Sequence, residues 1–173
     1  MALVFQYGSN ASSERLNSSC RLGGAACAVG LVFTEDRFDL AFTHYSRTNE
    51  CGTADLVPNG SRQIYGVLYE IPENRLFRSR RNGARTLDEI EGEYCDYRRT
   101  QVCVIDAAPP HESRAAITYV VKAPSASVKT SAPWVSHIIK GLREHGAPDE
   151  YVDYVKKCAT ENNPDLDDLL DEL

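Results

Sequence analysis

The chain has 173 residues, of which 42% are hydrophobic, and a formal net charge of -6, values that fit a single globular domain with a sizeable core. Its mild acidity argues against a nucleic-acid partner, because neutralising phosphates needs clustered Lys and Arg. No apolar run approaches membrane-spanning length and no basic segment leads into one at the N-terminus, so no membrane partner and a cytoplasmic location are expected.

In chain order, residues 2–7 read as a strand ended by Gly8, followed by a brief helical turn over 10–16 with Asn10 as the expected N-cap. Segments 27–33 and 38–42 flank Thr34-Glu35-Asp36-Arg37 and predict a hairpin. Residues 44–59 are polar and turn-rich and read as a long loop, whereas 63–71 form a strong strand stopped by Pro72. The stretch 73–85 carries Arg75, Arg78, Arg80, Arg81 and Arg85 around Gly83. It reads as a solvated basic loop, or as a source of a guanidinium for a substrate carboxylate at a pocket mouth.

Thr86-Leu87-Asp88-Glu89 has the form of a capping box, and Gly92 can stop the helix it starts after little more than one turn. Residues 99–105 and 115–122 are two further strands. Pro133 suits the first turn of a helix whose apolar face is Trp134, Ile138, Ile139 and Leu142. A second helix is expected over 150–160. The domain is expected to span 1–163, with 164–173 an acidic tail, frayed or disordered. Strands that precede two late helices, without regular βαβ alternation, predict an α+β domain with a mostly antiparallel sheet that could close.

Six cysteines show no CxxC pair and no Cys/His zinc-ligand spacing, so no metal site is expected and the thiols read as free. Cys103, in an apolar strand-like run, reads as a small hydrophobe.

Two short segments carry chemistry. Strand, Gly8-Ser9-Asn10, then a helical turn, either reverses the chain or makes a cradle of backbone N–H groups for a carboxylate. Glu91 ends the helix started by the capping box. The negative helix end and burial would both raise its pKa and suit it to shuttling protons, and the alternative is a surface glutamate in an acidic cluster.

Together, Tyr7-Gly8-Ser9-Asn10 and Leu87-Asp88-Glu89-Ile90-Glu91-Gly92 resemble, in the right order, the two signature segments of the γ-glutamylcyclotransferase family. Gly52-Thr53-Ala54 and Tyr65-Gly66-Val67-Leu68-Tyr69 resemble its middle strands, and Gly146-Ala147-Pro148-Asp149-Glu150-Tyr151 its closing helix pair, so the resemblance covers nearly the whole chain. It implies a small mixed, mostly antiparallel β-barrel flanked by α-helices. It implies a cofactor-independent enzyme that releases 5-oxoproline from a γ-glutamyl amino acid or amine, with Glu91 as general acid/base.

The resemblance also implies that Tyr7, Gly8, Ser9 and Asn10 bind substrate and that Tyr119 and Tyr97 are secondary candidates, Tyr94 lying near enough to compete with Tyr97. The expected partner is a small γ-glutamyl molecule, and a homodimer is compatible with the family. Gln6 and Ala11 depart from the residues common in relatives beside the cradle. The intact Asn10 argues against the glutathione-specific branch. A non-catalytic binding module of the same fold, or an enzyme deprotecting a γ-glutamylated metabolite, are the alternatives.

Overall fold

The computed structural model describes residues 1–77 and 85–171. Its elements run β1 (Ala2–Gln6), a 3-10 turn (Ser9–Ala11), α1 (Ser13–Leu16), β2 (Cys27–Thr34), β3 (Phe38–Ser46) and β4 (Cys51–Pro58). Then come β5 (Tyr65–Ile71), α2 (Glu73–Leu76), α3 (Leu87–Glu91), β6 (Tyr97–Asp106) and β7 (Ser113–Val121). The chain closes with α4 (Ala132–Glu144), α5 (Asp149–Asn162), a 3-10 turn (Pro164–Leu166) and α6 (Asp167–Asp171).

Five strands close a barrel in the order β1-β5-β2-β6-β7. All neighbours are antiparallel except β1 and β7, which meet in parallel at Val4 and Ile117. The expected mixed, mostly antiparallel barrel flanked by helices is therefore the observed architecture.

β1 has apolar residues on both faces because both are covered. Phe5 and Tyr7 join the larger core cluster with α4 and α5, while Val4 joins a second cluster with Leu16, Leu76 and Leu87. Val135, Ile138, Ile139 and Leu142 form the buried stripe of α4. Trp134 is only half-buried and packs at the edge of that cluster.

The predicted hairpin of β2 with β3 is not formed. At the turn Thr34 donates its N–H to Ile64 O (3.0 Å) and Glu35 donates to Cys103 O (2.8 Å), so β2 leaves toward β5 and β6. β3 pairs instead with β4 in a separate two-stranded sheet. The segment 44–59, read as a loop, thus completes β3 and contains β4. Its polar residues misled the reading because they are buried and bonded: Asp55 accepts from Thr43 Oγ1 (2.8 Å) and from the Val121 N–H (2.9 Å). The middle-strand resemblance of Gly52-Thr53-Ala54 does fall on a strand.

The stretch 73–85 opens with α2, whose Leu76 is fully buried. Arg75 and Arg85 are bound to backbone carbonyls, Leu22 O at 2.6 Å and Cys20 O at 2.8 Å. Arg78, Arg80, Arg81 and Gly83 lie outside the described residues. The acidic C-terminal segment is helical through Asp171, with Leu166 and Leu170 buried in the larger core cluster. Cys103 faces outward and is exposed.

One close approach ties the late helices to the start of the chain. A Cβ on Gly141 of α4 would sit 2.3 Å from the backbone of Ala11 and Ser12. The helix therefore lies directly on the turn that follows β1, and only glycine permits it.

Candidate active site

α3 is short, and its ends explain why. Thr86 N–H donates to Glu89 Oε2 at 3.0 Å, the backward bond of a capping box, and Gly92 takes φ 64 at the C-terminus, a left-handed conformation natural to glycine. The helix is held from beneath by Asp88, which is 2% exposed. Arg99 Nη1 donates to both its oxygens (2.8 and 2.7 Å) and the Tyr119 hydroxyl donates to Oδ1 (2.8 Å). That clamp fixes the direction in which Glu91, at the helix end, leaves the backbone.

Glu91 points at the turn after β1. Asn10 Nδ2 donates to Glu91 Oε1 at 2.8 Å, and Asn10 Oδ1 accepts from Arg21 Nη1 at 2.7 Å. The amide thus bridges carboxylate and guanidinium. Glu91 is half-buried and lines a cavity. Burial raises its pKa, and the Asn10 hydrogen bond, the Arg21 charge, the Gln6 amide and Arg15 pull the other way without cancelling it.

The cavity has a volume of about 1060 Å³. Tyr7, Gly8, Ser9, Asn10, Glu91, Tyr97 and Tyr119 all line it, joined by Gln6, Arg15, Arg21, His44, Arg85 and Trp134. All seven residues expected from the sequence therefore line one cavity. Among the described residues, no group of three or more His, Cys, Asp or Glu could hold a metal ion, and no helix is long and apolar enough to cross a membrane.

A family model described as the AIG2-like family matches residues 63–155, more than half of the chain. The chain belongs to the AIG2-like family. A solved structure titled "Gamma-glutamyl cyclotransferase" superposes with TM-score 0.75 at 25% identity, over 90% of this chain and 86% of that one. An uncharacterized protein from Homo sapiens matches at 24% identity with TM-score 0.75, over 90% and 86%. YkqA from Bacillus subtilis matches at 22% with TM-score 0.72, over 90% of this chain and 53% of its own, so the chain spans about half of YkqA. These last two share the fold. No curated protein matches the chain. Family and fold thus agree with the γ-glutamylcyclotransferase resemblance of the two segments.

In this AIG2-like chain the tyrosines are tied into the wall by their hydroxyls. Tyr7 donates to the Tyr119 carbonyl at 2.7 Å. The Tyr97 hydroxyl lies 2.7 Å from Thr53 Oγ1 and donates to Ala54 O at 3.0 Å. Tyr119 is committed to Asp88, and burial with that carboxylate pushes its pKa up. Tyr94 is exposed, which answers the rivalry with Tyr97 in favour of Tyr97 as the wall residue. Tyr119→Phe should therefore act on stability first. Loss of a hydrogen bond to a buried carboxylate should cost about 2 kcal/mol, or a fall of about 4–8 °C in Tm. Turnover per folded molecule should stay within about tenfold of wild type, below the roughly 10²–10⁴-fold that a positioned acid or base contributes. A stable but dead variant would put the hydroxyl in the chemistry instead.

Asn10 is not the helix cap expected for it. Ser12 takes that role, accepting from Arg15 N–H at 3.4 Å, and frees the Asn10 amide for Glu91. Sequence reading missed Arg21 and Asp88 as site residues. Arg21 comes from an irregular segment with no periodic signal, and Asp88 stands in the sequence as one residue of the capping-box segment, with its partners Arg99 and Tyr119 further along the chain.

Since Asn10 and Arg21 lower the pKa of Glu91, Asn10→Ala should raise it further. A base that must be ionised would then lose activity at a higher pH on acidification. The acid limb of the kcat/KM profile should move upward relative to wild type, and an unmoved limb would uncouple Asn10 from the titrating group.

Proposed function

We infer that the protein is a γ-glutamylcyclotransferase that releases 5-oxoproline and a free amine or amino acid from a γ-glutamyl compound. The observation that carries this reading is a cavity-lining carboxylate of raised pKa, Glu91, held by Asn10 beside the Tyr7-to-Asn10 turn.

In that reaction nucleophile and electrophile share one molecule, so positioning supplies much of the rate. The α-amine attacks the side-chain amide carbonyl, a carbon–nitrogen bond closes the five-membered ring, and the amide carbon–nitrogen bond breaks. The ammonium proton must leave before attack, and the departing amine must gain one. A single carboxylate near neutrality can do both in turn, which is the role assigned to Glu91. The turn from Tyr7 to Asn10 would bind the glutamyl end or polarise the carbonyl through backbone N–H groups. Arg21, one amide away from Glu91, would hold the adjacent α-carboxylate.

The test is release of 5-oxoproline from a panel containing γ-glutamyl-alanine, a γ-glutamyl alkylamine and glutathione. Turnover of at least one member supports the reading. A ligand that binds and is recovered unchanged from every arm would replace it with a binding module.

A further inference from the structure

The cavity wall carries more positive charge than the glutamyl half of a substrate can use. Of the ionisable acids and bases lining the cavity, Arg15, Arg21, His44 and Glu91 are half-buried, while Arg47, Arg85, Glu89 and Asp96 are exposed and sum to zero. His44 faces the Asp96 carboxylate at 3.8 Å. The inner wall thus holds two guanidinium groups against one carboxylate. A glutamyl head with its ammonium and carboxylate is neutral and leaves one positive charge unmatched.

The two arginines hold neighbouring residues of the cradle, Arg21 bonding to Asn10 and Arg15 to Ser9. Arg21 donates to Asn10, whose amide in turn holds Glu91, so of the two it is the one bonded through to the carboxylate. Arg15 donates through Nε to Ser9 Oγ (3.2 Å) and through Nη2 to Asn49 Oδ1 (3.5 Å), and its guanidinium lies 4.9 Å from the centre of the Trp134 ring. Among the described residues no carboxylate lies within ion-pair distance of it, and its partners are neutral. Burial, and next the Arg21 charge, lower its pKa to about 10, so it remains a cation in a place that disfavours one. An anion arriving there removes that cost. Asn49 lies in the segment joining β3 to β4, so Arg15 bridges from the cradle toward the outer part of the cavity, where the half of the substrate beyond the scissile bond would extend.

We propose that Arg15, stacked on Trp134, is the specificity residue that reads a carboxylate on the leaving half, so that γ-glutamyl amino acids are favoured over neutral γ-glutamyl amines. This rests on the cyclisation reading above. The charge of the wall and the position of Arg15 assign the selectivity, and nothing in the ring closure itself requires it.

Calorimetric binding to the full-length Glu91→Gln protein separates recognition from turnover. The ligands are γ-glutamyl-alanine, the neutral γ-glutamyl-alaninamide of the same shape, and γ-glutamyl-ethylamine. The carboxylate is expected to tighten binding at least about tenfold over both neutral ligands, the scale of one charge-assisted contact. Adding Arg15→Gln should collapse that ratio to near one, and Arg15→Lys should restore part of it, which excludes a purely structural effect. Equal affinities, a preference that survives Arg15→Gln, or no binding of any ligand would overturn the proposal. The cyclisation reading is judged separately, by 5-oxoproline from the wild-type protein. Intact discrimination without product would refute the reaction and leave Arg15 as the reader of charge.

Discussion

Replacing Glu91 by Gln is expected to lower kcat by at least about a thousandfold, the upper part of the range for a positioned acid/base, or about 4 kcal/mol of barrier. An amide of the same shape keeps an oxygen for the Asn10 Nδ2 donor, so the fold should survive. Stability gives a second readout with a defined sign. The folded-state pKa of Glu91 lies above its unfolded value, so the native protein resists its ionisation. That group therefore favours folding most at pH below its unfolded pKa, and the advantage is lost as pH rises through the folded pKa. Glu91→Gln removes the loss, and at pH 7 its Tm should equal or exceed that of wild type. A variant that is fully folded and turns over near the wild-type rate would end the assignment of Glu91.

Gly141→Ala should give the largest stability change. In an ordinary helix interior the exchange is worth about 1 kcal/mol in favour of Ala. Here the added methyl would lie 2.3 Å from Ala11 and Ser12 backbone atoms, which cannot swing aside as a side chain can. We expect the sign to reverse, with a net loss of about 3 kcal/mol and a fall of roughly 6–12 °C in Tm. Activity measured well below the melting temperature should fall as well, because the displaced turn carries Asn10, and small misplacements of positioning groups cost catalysis heavily. A Tm unchanged or raised would mean that α4 rides over the turn with room to spare.

What could be read from the sequence was what is encoded locally. The capping box, Gly92 and Glu91 occupy one short run, and each acts on its immediate neighbours, so the helix and its terminal carboxylate were visible. β1, β5, β6, β7 and the two long helices carried plain apolar patterns, with ends displaced by a residue or two. The failures have one cause, which is partner choice at long range. β2 and β3 are joined by a short turn yet pair elsewhere, because Thr34 and Glu35 bond to Ile64 and Cys103. β4 looked like solvent-facing chain because Thr53 and Asp55 are polar, and their buried partners come from other strands. Asn10 looked like a cap because capping is local, but a residue 81 positions away takes its amide. Arg21 and Arg15 offer no pattern at all and acquire meaning only from the wall they share.

The parallel seam between β1 and β7 also governs when the protein can assemble. The first strand emerges from the ribosome early but finds one neighbour only when residue 71 has been made and the other, at Ile117, much later. The turn that holds Asn10 then waits for Gly141 before its covering helix can seat. Contacts of such long sequence separation bring slow refolding, on the scale of milliseconds to seconds, and leave the first strand exposed to misplaced pairing during synthesis. The nascent chain therefore carries the first half of its catalytic wall long before it owns the second.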